Sequence, residues 1–296
     1  MTTATSTPSE IGAEREPARA RRRLRLWRLD PTGLAGAVLL TLIVAACLAA
    51  PLVAPSDPIR VNLPAQFRPA SWDHPMGTDN FGRDILARVL HGGRVSLAVA
   101  VVATLISLLI GLVLGGLAGY LGGMIDDLVA RLVDLTLAFP RLVLAITIAG
   151  LLGAGLGSVV VAIVAVSWAW YARVVRGLVI QAREEPYVQA ARALGASTPR
   201  VLLCHLLPAI VGQAAVLTSL DFGRIVLAIS SLSFLGLGIR PPAPEWGAML
   251  NESRLFFARN PELMLYPGLA IFLTVLAANL LGDALRDALD PRRRSR

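Results

Sequence analysis

The chain is 296 residues long, 55% hydrophobic and 16% charged, with a formal net charge of +8, and its mean hydropathy is +0.64. This composition excludes a soluble globular fold and predicts an all-α membrane protein with several spanning helices. All 28 basic residues are Arg, and the phosphate-binding loop GxxxxGK[ST] needs a Lys to reach terminal phosphates, so the chain cannot carry that nucleotide site.

Residues 1–30 read as a basic cytoplasmic tail, with RARRRLRLWR at Arg19–Arg28. The uncharged run of residues 31–56 exceeds the ~20 residues that a spanning helix needs. It can be read as an uncleaved anchor or as a cleaved signal peptide; its length favours the anchor. Residues 57–94 form a polar, Pro-containing loop, and residues 95–290 the membrane core. Within that core, spans are predicted at 95–119, 132–151, 158–171, 212–237 and 263–282, with GLLGAGLGS at Gly150–Ser158 dividing the third from the fourth. Trp168, Trp170 and Tyr171 should form an interfacial belt at the end of the fourth span. Trp246, in a loop with Pro241, Pro242 and Pro244, should anchor that loop at the interface.

Hydropathy leaves one ambiguity, because Val201–Leu220 is also uncharged. Both ends are Arg-rich, including RRRSR in the 291–296 tail, so the positive-inside rule places both in the cytoplasm and requires an even number of crossings. Six satisfies it. The segments Asp57–Arg88 and Arg240–Glu262 then fall outside and hold seven Arg against seven acidic residues.

An insert at 177–211 interrupts the spans. Its centre, EEPYVQAARALGASTPRVLLCHLLP, runs from Glu184 to Pro208. Pro186 suits a first helical turn, and Gly195 can take the left-handed conformation that ends a helix. A second helix, capped by Ser197 or Thr198 with Pro199 in its first turn, should run to about Leu207 before Pro208 disturbs it. Small Ala190 and Ala191 allow close approach of another surface, and Arg183, Arg192 and Arg200 keep the segment out of lipid. The insert is either a docking surface or an amphipathic loop packed on its own bundle.

Other chemistry is sparse. Cys47 and Cys204 read as free thiols. His74, His91 and His205 lack metal-ligand spacing. The Arg residues sit at the ends of apolar runs rather than on an aromatic-bearing helix, which argues against nucleic acid. Asp221 and Arg224, three residues apart in the fifth span, either line a translocation path or neutralise each other against a partner helix. Asp134 and Arg141, around Pro140, raise the same question more weakly.

Gln189, Ala190, Ala191, Gly195, His205, Leu206, Leu207 and Pro208 together resemble the EAA signature of permease subunits of binding-protein-dependent ABC importers. Three further blocks, His74–Leu97, Leu232–Leu250 and Asn279–Arg292, look like the C-type permease of the dipeptide, oligopeptide and nickel importers. The resemblance implies a type I importer permease fold in the cell membrane. It assigns ATPase coupling to Glu184, Glu185, Gln189, Ala190, Ala191, Gly195, Leu207 and Pro208. The implied partners are a homologous second permease, two cytoplasmic ATP-binding subunits that use ATP and Mg, and an external substrate-binding lipoprotein. No cofactor would be bound by this chain. Di- or oligopeptides are the expected cargo, with nickel or another small solute as the alternative. The chain departs from the signature at Gln189, where Glu is usual; Glu184 and Glu185 lie about a turn away. Asp79, Arg83 and Asp84 would sit near an external gate or stabilise the mouth of the bundle. A membrane hydrolase or a secondary transporter is the distant alternative, and no Ser/His or paired-carboxylate constellation at membrane depth supports the former.

Overall fold

The computed structural model describes residues 31–289, so the basic tail of residues 1–30 and the segment from 290 to 296 lie outside the described residues. The main helices are α1 (Pro31–Leu48), α2 (Ile85–Leu121), α3 (Gly123–Leu137), α4 (Arg141–Leu152), α5 (Leu156–Arg183), α6 (Pro186–Ala193), α7 (Thr198–Phe234), α8 (Trp246–Ser253) and α9 (Glu262–Leu289). Among the described residues, α1, α2, α5, α7 and α9 are long and apolar enough to cross a membrane. The pair α3 and α4, bent by 88°, makes a sixth crossing if counted as one broken span.

Several boundaries differ from the expectation, each for a local reason. The uncharged run of residues 31–56 is divided, because α1 stops at Leu48 and Pro51 opens a separate turn at Ala50–Val53. Helix α2 begins ten residues before the apolar run does. The Asp84 carboxylate accepts from the Ala87 amide at 2.7 Å and so satisfies one of the free N–H groups of the first turn. Residues 85–94 are therefore helix rather than loop. The predicted third span is two helices, since Pro140 has no N–H to continue the ladder and α4 restarts at Arg141.

Helix α5 does not end at Tyr171. Arg173 and Arg176, which mark the end of the apolar run, pair with Asp134 and Asp126 of α3, and the helix continues to Arg183. The expected aromatic belt is thereby placed mid-helix, with Tyr171 buried. Trp246 is also a core residue: its indole Nε1 donates to Val89 O at 2.8 Å, and the side chain is buried. Helices α2 and α5 come close enough that a Cβ added to Gly111 or Gly115 would lie 2.3 Å from Tyr171 Cβ or 2.4 Å from Ala172 O. Small residues at four-residue spacing allow this contact.

Candidate functional site

Helix α6 opens with Pro186 in its first turn and closes at Gly195, whose φ is +81°. Gly195 N donates to Arg192 O at 3.0 Å, and Ala196 N donates to Ala191 O at 3.1 Å. That paired pattern is the Schellman closure, which satisfies carbonyls left free at a helix end. Ser197 then occupies the N-cap of α7 with extended backbone, but its side chain makes no capping bond. Pro208 does not end the helix as expected. A π-helical turn at Leu202–Leu206, with Leu207 N donating to Leu202 O, absorbs the disturbance, and α7 runs on to Phe234.

The insert is clamped from below. Val188 of α6 is buried with Val201, Leu206 and Ile210 of α7 against Val175 and Val179 of α5. Arg183 Nη1 donates to Gly119 O at the C-terminal end of α2 at 3.0 Å, and the Arg192 guanidinium sits 5.7 Å from the Tyr120 ring centroid. Both contacts put cations where a helix C-terminus is electronegative.

The opposite face of α6 is bare. Tyr187, Ala190 and Leu194 lie at i, i+3 and i+7, so they share one stripe. Tyr187 is 46% and Leu194 89% exposed, and Ala190 is exposed as well. Glu184, Glu185 and Gln189 rim this face in the open, Glu184 pairing with Arg183 at 3.1 Å. Gln189 Nε2 donates to Glu184 O at 3.2 Å, a bond that Glu could not make. Ala191 is half-buried beneath; Leu207 is half-buried and Pro208 exposed on α7. Tyr187 and Leu194 are absent from the sequence-based assignment, because a signature marks positions, while exposure depends on which face Val188 buries.

A second cluster lies inside the bundle. Asp221 is 1% exposed, and its carboxylate accepts from Arg141 Nη1 at 3.0 Å and Nη2 at 3.3 Å. Arg141 Nη2 also donates to Ser167 Oγ at 2.7 Å. Asp221 is thus neutralised by α4 and not by Arg224, which is exposed. The self-neutralised pair of the sequence reading is replaced by a longer-range one. Asp134 lies apart from it, in an exposed pair with Arg173 at 2.6 Å.

The third group lies around the loop that precedes α2. Asp79, Arg83 and Asp84 are all buried. Asp79 Oδ2 meets Arg83 Nε at 2.6 Å, Glu252 Oε2 accepts from Arg83 at 2.6 Å and from Arg88 at 3.0 Å, and Asp84 contacts His74 Nδ1 at 2.7 Å. Glu252 of α8 and Arg88 of α2, to which no sequence motif assigns a role, complete the cluster. Two carboxylates and two guanidiniums here compensate one another and tie the loop before α2 to α8. The described residues contain no group of three or more metal-ligating side chains.

Residues 111–295 match the family described as the binding-protein-dependent transport system inner membrane component. The glutathione transport system permease protein GsiD of Shigella flexneri serotype 5b (strain 8401) is 48% identical over 222 residues, which is 75% of this chain and 73% of that one. Its counterpart in Escherichia coli O157:H7 is 45% identical over the same shares. The nickel transport system permease protein NikC of Escherichia coli (strain K12) is 42% identical over 237 residues, 80% of this chain and 86% of that one.

Proposed function

Because the chain belongs to the binding-protein-dependent transport system inner membrane components, we propose that its insert is the surface through which separate ATP-binding subunits drive it. The chain is a multi-pass inner-membrane permease of an ABC importer. In this reading both termini and the insert are cytoplasmic. A homologous second permease completes the pore, two ATP-binding subunits use ATP and Mg, and an external lipoprotein delivers the cargo. Closure of the ATP-binding subunits pulls on α6, and because Val188 and Val201 lock α6 to α5 and α7, the pull reaches the spans as a rigid displacement.

One observation carries this: α6 is packed tightly on one face and leaves Tyr187, Ala190 and Leu194 uncovered on the other. An exposed apolar stripe on a short polar helix needs a protein partner. Leu194→Glu introduces a charge into that seat without touching the buried face. It should lower transport-coupled ATPase activity at least tenfold while the variant still inserts and assembles with the second permease. Unchanged coupling would remove α6 from the drive train.

The cargo is a peptide-type solute, following the glutathione permeases among the relatives. Nickel is the second reading, favoured by the broader coverage of the nickel permease. Uptake of radiolabelled glutathione and nickel by cells with and without the gene separates them.

A further inference from the structure

Helix α7 is apolar over most of its length, yet it carries a line of polar residues. Gln213, Arg224 and Ser231 are eleven and seven residues apart, which places all three within about 20° of one azimuth at 100° per residue. Gln213 and Arg224 are exposed and Ser231 is partly so, its hydroxyl donating to Leu227 O at 2.7 Å and leaving its lone pairs free. The line covers 18 residues, about 27 Å, close to the ~30 Å of a bilayer's hydrocarbon core.

Depth can be read from two helices independently. The outer ends of α5 and α7 are level, since Gly155 N donates to Leu237 O at 3.2 Å. Arg224 lies ten residues below Phe234, and Ser167 lies eleven below Leu156, so both are roughly 15 Å inward, near the bilayer centre. Arg141, bonded to Ser167 and Asp221, joins them at the break between α3 and α4. Its charge is cancelled by Asp221. Arg224 makes no ion pair among the described residues. An uncompensated guanidinium at this depth cannot face lipid without a large penalty, so it faces a water-filled track or a partner. Leu220 shares this azimuth and packs on Gly282 of α9, so the polar groups are three spaced stations rather than a continuous line. A single acidic partner would satisfy Arg224 alone, whereas polar groups recurring above and below it on one face fit a track.

We propose that Arg224 is an anion-accepting station on the translocation path, which holds the carboxylate of a peptide-type cargo in transit. The inference rests on the permease reading above and sharpens it. One net positive charge at mid-depth favours an anionic solute such as glutathione and opposes a nickel cation.

The test uses the assembled importer with Cys47→Ala, Cys204→Ser and Ser231→Cys. Each rate is divided by that reagent's rate toward a small free thiol, which corrects for the thiolate's own preference for cations. On that scale sulfonatoethyl methanethiosulfonate, an anion, should modify the new thiol roughly fourfold faster than the trimethylammonium analogue, as expected for one charge about 10 Å away in water. Arg224→Gln should bring that ratio to about one, and Arg224→Lys should retain it. In the same complex with native Ser231, Arg224→Gln should slow glutathione uptake roughly tenfold, the value of one charge-assisted hydrogen bond, with Arg224→Lys keeping most of the rate. An inert thiol would show that the line packs against the second permease, and equal rates for both reagents would show that Arg224 sets no field in the track. Either result overturns the proposal, as does nickel uptake that depends on Arg224. Absence of any ATP-driven uptake by the unaltered complex would instead count against the importer reading.

Discussion

Gly195 shows how one residue supports the insert. Its φ of +81° lies in the left-handed region, and nothing stands within 4 Å of where a Cβ would project. The requirement is therefore conformational and not one of space. Gly195→Ala should cost about 1–2 kcal/mol, read as a lower melting temperature of the purified protein, whereas Gly195→Asn should retain most of the stability because Asn tolerates that region. Equal melting for Gly195→Ala would mean that the turn is not held closed. Gln189 is a second informative position. Its side-chain amide bonds back to Glu184 O, so the departure from the usual Glu has a local structural use at the start of α6.

At the scale of elements, the tightest join is α2 against α5. Gly115→Val would drive a side chain into the backbone oxygen of Ala172 and should cost roughly 3 kcal/mol by overpacking. Gly116→Val is the control, since a Cβ there meets nothing within 4 Å. Yield and melting temperature in detergent should separate the two, and equal behaviour would contradict this packing. Apolar runs made five of the six expected crossings legible in the sequence as long helices, the other being the bent pair α3 and α4, and Pro186 and Gly195 marked both ends of α6. Element ends were legible only where a residue's local chemistry decides them. Asp84 falls within the expected loop of residues 57–94, because its capping role depends on the Ala87 amide turning toward it. The fourth span, expected to end at Tyr171, runs on to Arg183 because the Asp partners of Arg173 and Arg176 belong to another helix. Pro208 carries the sequence mark of a helix end, whereas the π turn that accommodates it leaves no sequence mark of its own. The pairing of Asp221 with Arg141, eighty positions away, was invisible for the same reason as the pairing of Arg83 with Glu252: both depend on tertiary packing.

For the whole molecule, the structure joins three levels along the same helices. The ion network of Asp79, Arg83, Arg88 and Glu252 fixes the loop before α2 to α8. The Arg141–Asp221 pair fixes the broken span at mid-depth. The buried Val188–Val201 contact zone fixes α6 to the C-terminal half of α5 and the N-terminal part of α7. A displacement applied at α6 therefore has a packed route to the polar line of α7, which is what an energy-coupled permease requires. The central claim is that the bare face of α6 meets ATP-binding subunits in the cytoplasm. It is tested most directly with one cysteine at position 194 in a chain carrying Cys47→Ala and Cys204→Ser. The account predicts that a membrane-impermeant maleimide labels Leu194→Cys only after the cells are opened, and that a benzophenone maleimide attached to it photo-cross-links to an ATP-binding subunit of the intact complex. Labelling from outside sealed cells, or cross-linking only to the external binding protein, would contradict it.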